Sequence, residues 1–366
     1  MAAALPNVDV NLITYNNVRT IGETIENVLA QTWPAVSLTV IDNGSDDKTM
    51  EVVENYAAAH PTIRIKRNRH NVGPVANVQR AFWFGDADFV MPKTSDDLVS
   101  PEYIERLMAV LLAFPDCVMC HAAGLVFTTT DHVDHYYPPE HLLNATGPDV
   151  MARVQHVMQH YTSAPSFWGV YRRDAVDRLS MMRYRAGFDH VVLAELALYG
   201  EIRHVPEPMY WRRGGGKPVL RLARATTEQD NRGVPLDDVL AEQRWRTPLI
   251  TTAYAHMEAF AKVPLPLSQR QQLMRLVQAV FRMRWLPLMQ GEAAQLHEAI
   301  PKLLNDIAAA QPIEVAWLAR TLTEVLVGAQ AILPEEDFAR ELLEVAAISG
   351  EVIHSATVSA QSSEIA

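Results

Sequence analysis

Long apolar runs are missing from this chain of 366 residues. None approaches the roughly 18 consecutive apolar positions of a membrane span, so peripheral contact is the membrane mode left open. The N-terminus, Met1-Ala2-Ala3-Ala4-Leu5-Pro6, lacks the basic start and apolar stretch of a signal peptide, and a cytoplasmic location is the expectation. Excess positive charge is also lacking: the formal net charge is -11, which argues against nucleic-acid binding although local basic clusters survive. No G-x-G-x-x-G follows the first candidate strand and no Walker-type loop occurs, which sets aside dinucleotide and P-loop readings. Cysteine is scarce, with two residues in all. Cys117-Val118-Met119-Cys120-His121 matches the C-x-x-C-H pattern of covalent haem attachment, but that chemistry needs export. The same segment reads as a buried strand in which both thiols pack as small hydrophobes.

What is present is ordinary globular composition, half apolar and a fifth charged, on a length that allows two domains. Val8–Tyr15 and Val36–Asp42 are apolar, β-branched runs suited to strands buried on two faces. Helical spacing over Thr20–Gln31, Asp47–Ala59 and Pro74–Phe84, with a short strand at Thr62–Lys66, completes an alternating strand–helix order. That order predicts an α/β fold with a mainly parallel sheet flanked by helices. Further elements are expected at Pro101–Phe114 (helix), Cys117–His121 and Ala122–Thr130 (strand), Asp149–Gln159 (helix) and Ser166–Arg172 (strand). Asp189–Tyr199 reads as an apolar helix, Glu201–Val205 and Pro208–Arg213 as strands, and Gly214-Gly215-Gly216 as a break. From Leu236 to about Ile348 the pattern is helical alone; Leu273, Leu276, Val277 and Val280 share one face, as do Leu318, Leu322, Val325 and Leu326. The expected division is a first domain over 1–232, a C-terminal all-α domain over 233–350 and a disordered tail over 351–366.

Three polar clusters fall at predicted strand ends: Thr14-Tyr15-Asn16-Asn17, Asp42-Asn43-Gly44-Ser45-Asp46-Asp47 and Lys93-Thr94-Ser95-Asp96-Asp97. Ligands of open α/β sheets bind beyond the carboxyl ends of the strands, so one shared site is expected there. Two adjacent acids at such an edge suit a hard divalent cation that bridges a diphosphate, which points to a nucleotide-activated substrate.

These strings carry a resemblance. Thr14–Asn17 with its following helix, Val40-Ile41-Asp42-Asn43-Gly44-Ser45-Asp46-Asp47-Lys48-Thr49, Asn71-Val72-Gly73, Ser95-Asp96-Asp97 and Tyr210-Trp211-Arg212-Arg213 occur in the order found in family 2 of the glycosyltransferases. The likeness runs from about Val8 to Gly216. It implies a GT-A fold, of mixed and mainly parallel sheet, and inverting transfer from a nucleoside-diphosphate sugar donor, UDP or dTDP favoured, to a saccharide, lipid-linked or protein acceptor. Carried over position by position, it implies that Thr14, Tyr15, Asn16, Asp42, Asn71, Ser95 and Asp96 line the nucleotide pocket. Asp42 would accept from the imide of a uracil or thymine. Asp97 and Asp96 would face Mn²⁺ or Mg²⁺, and Arg212 and Arg213 the diphosphate, with Lys217, Arg221 and Arg224 extending a mobile positive lid. Asp189, at the start of a late helix, would be the base that takes the acceptor proton. The chain departs from the family where Thr94 and Ser95 stand in place of an earlier acid, which leaves the number of protein metal ligands open.

Plainer roles stand beside each of these. Asp42-Asn43-Gly44 makes an Asx turn, Asp97 or Ser100 caps a helix, and Asp189 caps its own. Glu195, mid-helix among apolar residues, is expected to make a buried polar contact. His132, His135, His141, His156 and His160 are read as surface or acceptor-facing, since no acidic or cysteine partner joins the His156/His160 pair. A nucleotidyltransferase, disfavoured by a glycine-free Thr14–Asn17 loop, and a non-catalytic nucleotide-sugar-binding scaffold are the competing functions. The helical domain, with Arg282-Met283-Arg284-Trp285-Leu286, is expected to pack and to self-associate as a homodimer.

Overall fold

Val8–Thr14 forms β1, a strand whose two faces the sequence separates residue by residue. A computed structural model describes residues 5–129, 132–161, 164–180, 187–214, 247–309 and 312–348. In β1, Val8, Val10 and Leu12 enter the main core. On the other face Asn11 donates through Nδ2 to the carbonyls of Ala81 and Phe84, 2.7 and 2.8 Å away. These acceptors are the orphan carbonyls at the C-terminus of a helix, so a buried amide is satisfied where water is excluded. Asp9, equally buried, is paired by Arg64 and Arg173, each at 3.1 Å.

The elements that follow are α1 (Ile21–Leu29), β2 (Val36–Asp42), α2 (Thr49–Ala59), β3 (Arg64–Arg67), α3 (Pro74–Trp83), β4 (Phe89–Thr94), β5 (Leu98–Val99) and α4 (Tyr103–Ala113). Next come β6 (Cys117–Thr129), β7 (His132–Tyr136), α5 (Val150–His160), β8 (Val170–Arg172), α6 (Arg173–Val176), α7 (Phe188–Tyr199) and β9 (Glu201–Arg213). The sheet runs β3-β2-β1-β4-β8-β6-β9-β5, with β7 paired to β6. β3, β2, β1 and β4 are mutually parallel, as are β6 and β9, while β8 is antiparallel to both neighbours. Ile21, Ile25, Met50, Val53, Leu107 and Leu111 from α1, α2 and α4 cover one face of the sheet. The α/β class with a mixed sheet and a C-terminal helical region is thereby established.

Three expected boundaries change. Cys117–His121 and Ala122–Thr130 fuse into the single strand β6, and both segments of 201–213 into β9. The ladder between them shifts register where Ala122 faces Val205 and Ala123 faces Pro208, so Pro206 and Glu207 are skipped. Proline has no N–H to give the ladder, and a bulge absorbs it without ending the strand. Ser166–Arg172 supplies strand only at Val170–Arg172; Ala164–Phe167 is a short 3-10 turn opened by Pro165.

The described residues divide into two compact units, 5–180 with 189–214 and 247–348 with 187–188. The second is all helical: α8 (Pro248–Lys262), α9 (Leu267–Ala309), α10 (Pro312–Ile332) and α11 over residues 339–348. α9 breaks at Trp285, with φ −137° and ψ 15°, because Pro287 removes a helical N–H and its ring clashes with the carbonyl four residues earlier. Leu273, Val277 and Val280, and Leu322, Val325 and Leu326, are buried as their spacing predicts. Among the described residues no helix is long and apolar enough to cross a membrane. Lys217, Arg221, Arg224, the boundary near residue 232 and the tail 351–366 lie outside the described residues.

Candidate active site

The C-terminal ends of β1, β2 and β4 meet the C-terminal end of β9 through hydrogen bonds that begin in their loops. Asn16 alone among the described non-glycine residues has positive φ, 50°, which asparagine tolerates in the left-handed region. That turn lets Asn16 N donate to Ser45 Oγ at 2.9 Å and Asn16 Nδ2 to Asp46 Oδ1 at 2.7 Å. Asn17 Nδ2 donates to Ser95 Oγ at 2.5 Å, so the loops after β1, β2 and β4 are laced together. Thr14 and Ser95 are buried within this lacing, and Tyr15 is half-buried.

Asp42 is fully buried at the end of β2. Ser45 Oγ donates to Oδ1 at 2.5 Å, Ser45 N reaches both oxygens, and Arg67 Nε lies 3.1 Å from Oδ2. Asn43 Nδ2 donates to Asn71 Oδ1 at 2.7 Å, and Asn71 Oδ1 also accepts from Gly73 N at 2.8 Å. Gly44 sits between these groups at φ +79°, where a Cβ would come within 2.9 Å of the His70 carbonyl carbon. Only glycine fits both constraints.

At β4 the two adjacent acids diverge. Asp97 is buried, its carboxylate accepting from the Tyr210 hydroxyl and, at 2.9 Å, from Arg213 N. Beneath it Lys93, fully buried, donates from Nζ to the Asp97 carbonyl at 2.6 Å. Burial pushes the Lys93 ammonium down to about 8, with Asp97 and Asp96 opposing the shift. Asp96 is exposed by accessible area, and its carboxyl is nonetheless pushed above its ordinary range by surrounding protein first and by Asp97 second. Solvent reaches this carboxylate while the neighbouring protein still disfavours its charge. Arg213 Nε donates to the Asp96 carbonyl at 2.9 Å, and its terminal nitrogen lies 2.5 Å from Glu23 Oε2 on α1. Arg212 donates to the Tyr137 hydroxyl at 3.0 Å.

Asp189 opens α7. Its Oδ2 accepts from the Tyr161 hydroxyl at 2.6 Å and its Oδ1 from His190 N at 3.0 Å. Burial pushes the Asp189 carboxyl up, and the Tyr161 and backbone hydrogen bonds oppose that shift. Glu195, further along α7, is spent on Ser180 N and Oγ at 2.6 and 2.7 Å, the buried contact its position suggested.

Sequence reasoning therefore names residues that the fold gathers at one edge (Thr14, Tyr15, Asn16, Asp42, Asn71, Ser95, Asp96, Asp97, Arg212 and Arg213). It quoted Lys93 and Tyr210 within their strings without giving either a role, and it missed Glu23 and Tyr161. Lys93 carried a readable signal, a lysine inside an apolar strand run. For the other three no local pattern shows the contact, because their partners are 28 to 190 residues away. The histidines gather no metal cluster: no group of three or more His, Cys, Asp or Glu side chains suited to a metal occurs among the described residues. His156 and His160 stack at 4.2 Å, and His132 lies 3.5 Å from Asp134. Both cysteines are free and buried, and burial pushes the Cys117 thiol up to about 11, as expected of packing rather than redox chemistry.

Residues 9–179 match the family model described as Glycosyl transferase family 2. The uncharacterized glycosyltransferase YibD of Escherichia coli (strain K12) is 28% identical over 170 residues, 45% of this chain and 48% of that one. The putative glycosyltransferase EpsE of Bacillus subtilis (strain 168) is 32% identical over 108 residues, 29% of this chain and 38% of its own. The chain thus spans about half the length, or less, of these curated relatives. Among solved structures, S. aureus TarS 1–349 in complex with UDP-GlcNAc has a TM-score of 0.56 at 14% identity, over 95% of this chain and 92% of that one. At that identity the likeness is one of fold.

Proposed function

We propose, from the match of residues 9–179 to glycosyl transferase family 2, that the chain is a metal-dependent, inverting enzyme of that family moving a sugar from a nucleoside-diphosphate donor to an acceptor hydroxyl. The observation that carries this reading is the contrast between Asp96 and Asp97. One acid is open to solvent, and the other is locked to Tyr210 and Arg213 so that the β4 and β9 ends stay together.

The donor set suits a hard cation. Asp96 offers oxygen only, and small divalent ions that keep most of their shell from water and phosphate need one or two protein carboxylates. Asp96 would hold Mn²⁺ or Mg²⁺, with Asp97 behind it as anchor; once bound, the ion neutralises charge on the departing diphosphate. Arg212 and Arg213 bring further positive charge to the same edge, and a guanidinium fork matches phosphate oxygens. Thr14, Tyr15, Asn16 and Asn71 line the nucleotide side. Asp42, bonded to Ser45 through Oδ1 and beside Arg67 at Oδ2, keeps lone pairs on both oxygens to accept from a uracil or thymine imide. Asp189 takes the acceptor proton, and its raised affinity for a proton is the property a general base of this kind needs.

The test is release of nucleoside diphosphate from a panel of UDP-, dTDP- and GDP-sugars with Mn²⁺, before and after a chelator. Turnover should need the ion, and Asp96→Asn should lower it by about 100-fold or more. Pyrophosphate as the product, or full turnover of Asp96→Asn in chelator, sinks the reading.

A further inference from the structure

Tyr161 follows directly on α5 as its C-terminal cap, its N–H bonded to the Val157 carbonyl at 2.9 Å. The ring is buried, and its edge packs against the His190 ring with centroids 5.7 Å apart. A hydroxyl carried by a helix end and clamped by a neighbouring ring has little freedom to turn away. It points at one atom, Asp189 Oδ2, 2.6 Å distant. We propose that Tyr161 is a positioning residue for Asp189, fixing the carboxylate plane and holding it in the proton-accepting form within a site that otherwise disfavours charge. The inference rests on the reading of Asp189 as the base.

The chemistry places a definite demand on that carboxylate. The acceptor oxygen forms a bond to the anomeric carbon, the bond from that carbon to the diphosphate oxygen breaks with its electron pair leaving on the diphosphate, and the acceptor proton passes to Asp189. Each carboxylate oxygen has two lone pairs, so Oδ1 and Oδ2 keep accepting capacity while bonded to His190 N and Tyr161. Burial drives Asp189 toward its neutral form, which accepts no proton, and donation from Tyr161 opposes this. The described groups that face the pair are few. Asp189 meets Tyr161 from α5, His190 beside it and Tyr171 from β8, and Tyr161 meets Tyr137 in addition. No lysine or arginine is among these described groups, and the Tyr161 hydroxyl is the side-chain donor bonded to the carboxylate.

Tyr161→Phe deletes only the hydroxyl. Its pH profile of kcat/KM, read as nucleoside diphosphate release with Mn²⁺, should have an acidic limb moved up by about one pH unit. That shift is about a tenfold loss on the acid side, shrinking to less than about twofold at high pH. An equal loss at every pH with an unmoved limb would mean a merely structural role and overturn the proposal. A readout independent of turnover is the melting temperature of wild type and Tyr161→Phe across pH. Their difference should vary with pH and become flat when both carry Asp189→Asn; a flat difference in the Asp189 background overturns the coupling. Full transfer by Asp189→Asn would instead remove the base assignment while the melting data still report on the hydrogen bond.

Discussion

Asp96 and Asp97 lie in the bend between β4 and β5, and the chain turns their side chains into different surroundings. Asp97 turns inward to Tyr210 and Arg213 N, whereas Asp96 is exposed to solvent. A pair of acids was legible in the sequence; which one stays exposed was not, because it depends on β9 arriving beside β5. Asp189 poses the same question of charge. Its folded-state proton affinity is raised by burial, so its contribution to stability is fully present below the unfolded value and is lost as pH rises through the folded one. Asp189→Asn is therefore expected to cut transfer by about 10²–10⁴-fold and yet to melt higher than wild type at neutral pH. That gain should shrink toward acid pH in a melting series. Glu23 is a competitor for Arg213 at 2.5 Å. Glu23→Gln should tighten nucleoside diphosphate binding by about two- to fivefold, the range expected of an exposed ion pair, and weaker binding by calorimetry would refute this.

At the level of elements, β9 supplies the tie that the linear pattern could not reveal. Leu98 pairs with Trp211 and Val99 with Tyr210, so β5 hands the β4 acids to the end of β9. Tyr210→Phe leaves Asp97 with one donor fewer in a buried place. The expected cost is about 1.5–3 kcal/mol by denaturant unfolding, together with weaker donor binding, because hydrogen bonds to charged groups lie in that range. A variant as stable as wild type would show that Lys93 and Arg213 hold the junction by themselves. The parallel half of the sheet was readable since local periodicity decides it: Val8–Thr14, Val36–Asp42 and their helices need no distant partner to be recognised. The fused strands β6 and β9 were not readable, because their length is set by each other through a ladder that steps over Pro206.

For the whole molecule, the two units differ in how they manage buried charge. In the helical unit Glu292 accepts from Leu249 N and Ile250 N at 3.0–3.1 Å, closing the start of α8. Burial pushes its carboxyl up to about 7 despite those bonds. The sign follows: stability from this group is complete below about 4.5, the ordinary value, and is lost as pH rises through about 7. Glu292→Gln keeps an acceptor for the helix end without the charge, so its melting temperature should fall less than that of the wild type as pH rises through about 7. A parallel decline in both would assign the effect elsewhere. The donor-side residues named above all fall between positions 14 and 213, which is why the resemblance could be read from the first part of the chain and says nothing of the acceptor.

Composition, periodicity and the order of short polar strings determined the class of this protein, put its polar clusters at strand ends and carried the resemblance to glycosyl transferase family 2. These are properties of neighbours along the chain, and neighbours leave their mark in spacing. The tertiary structure alone decided that Asp97 is an anchor and Asp96 the exposed acid, that Arg213 is held by Glu23, and that Tyr161 reaches Asp189. Each of those contacts joins residues whose only relation is the fold, so no local pattern could encode it.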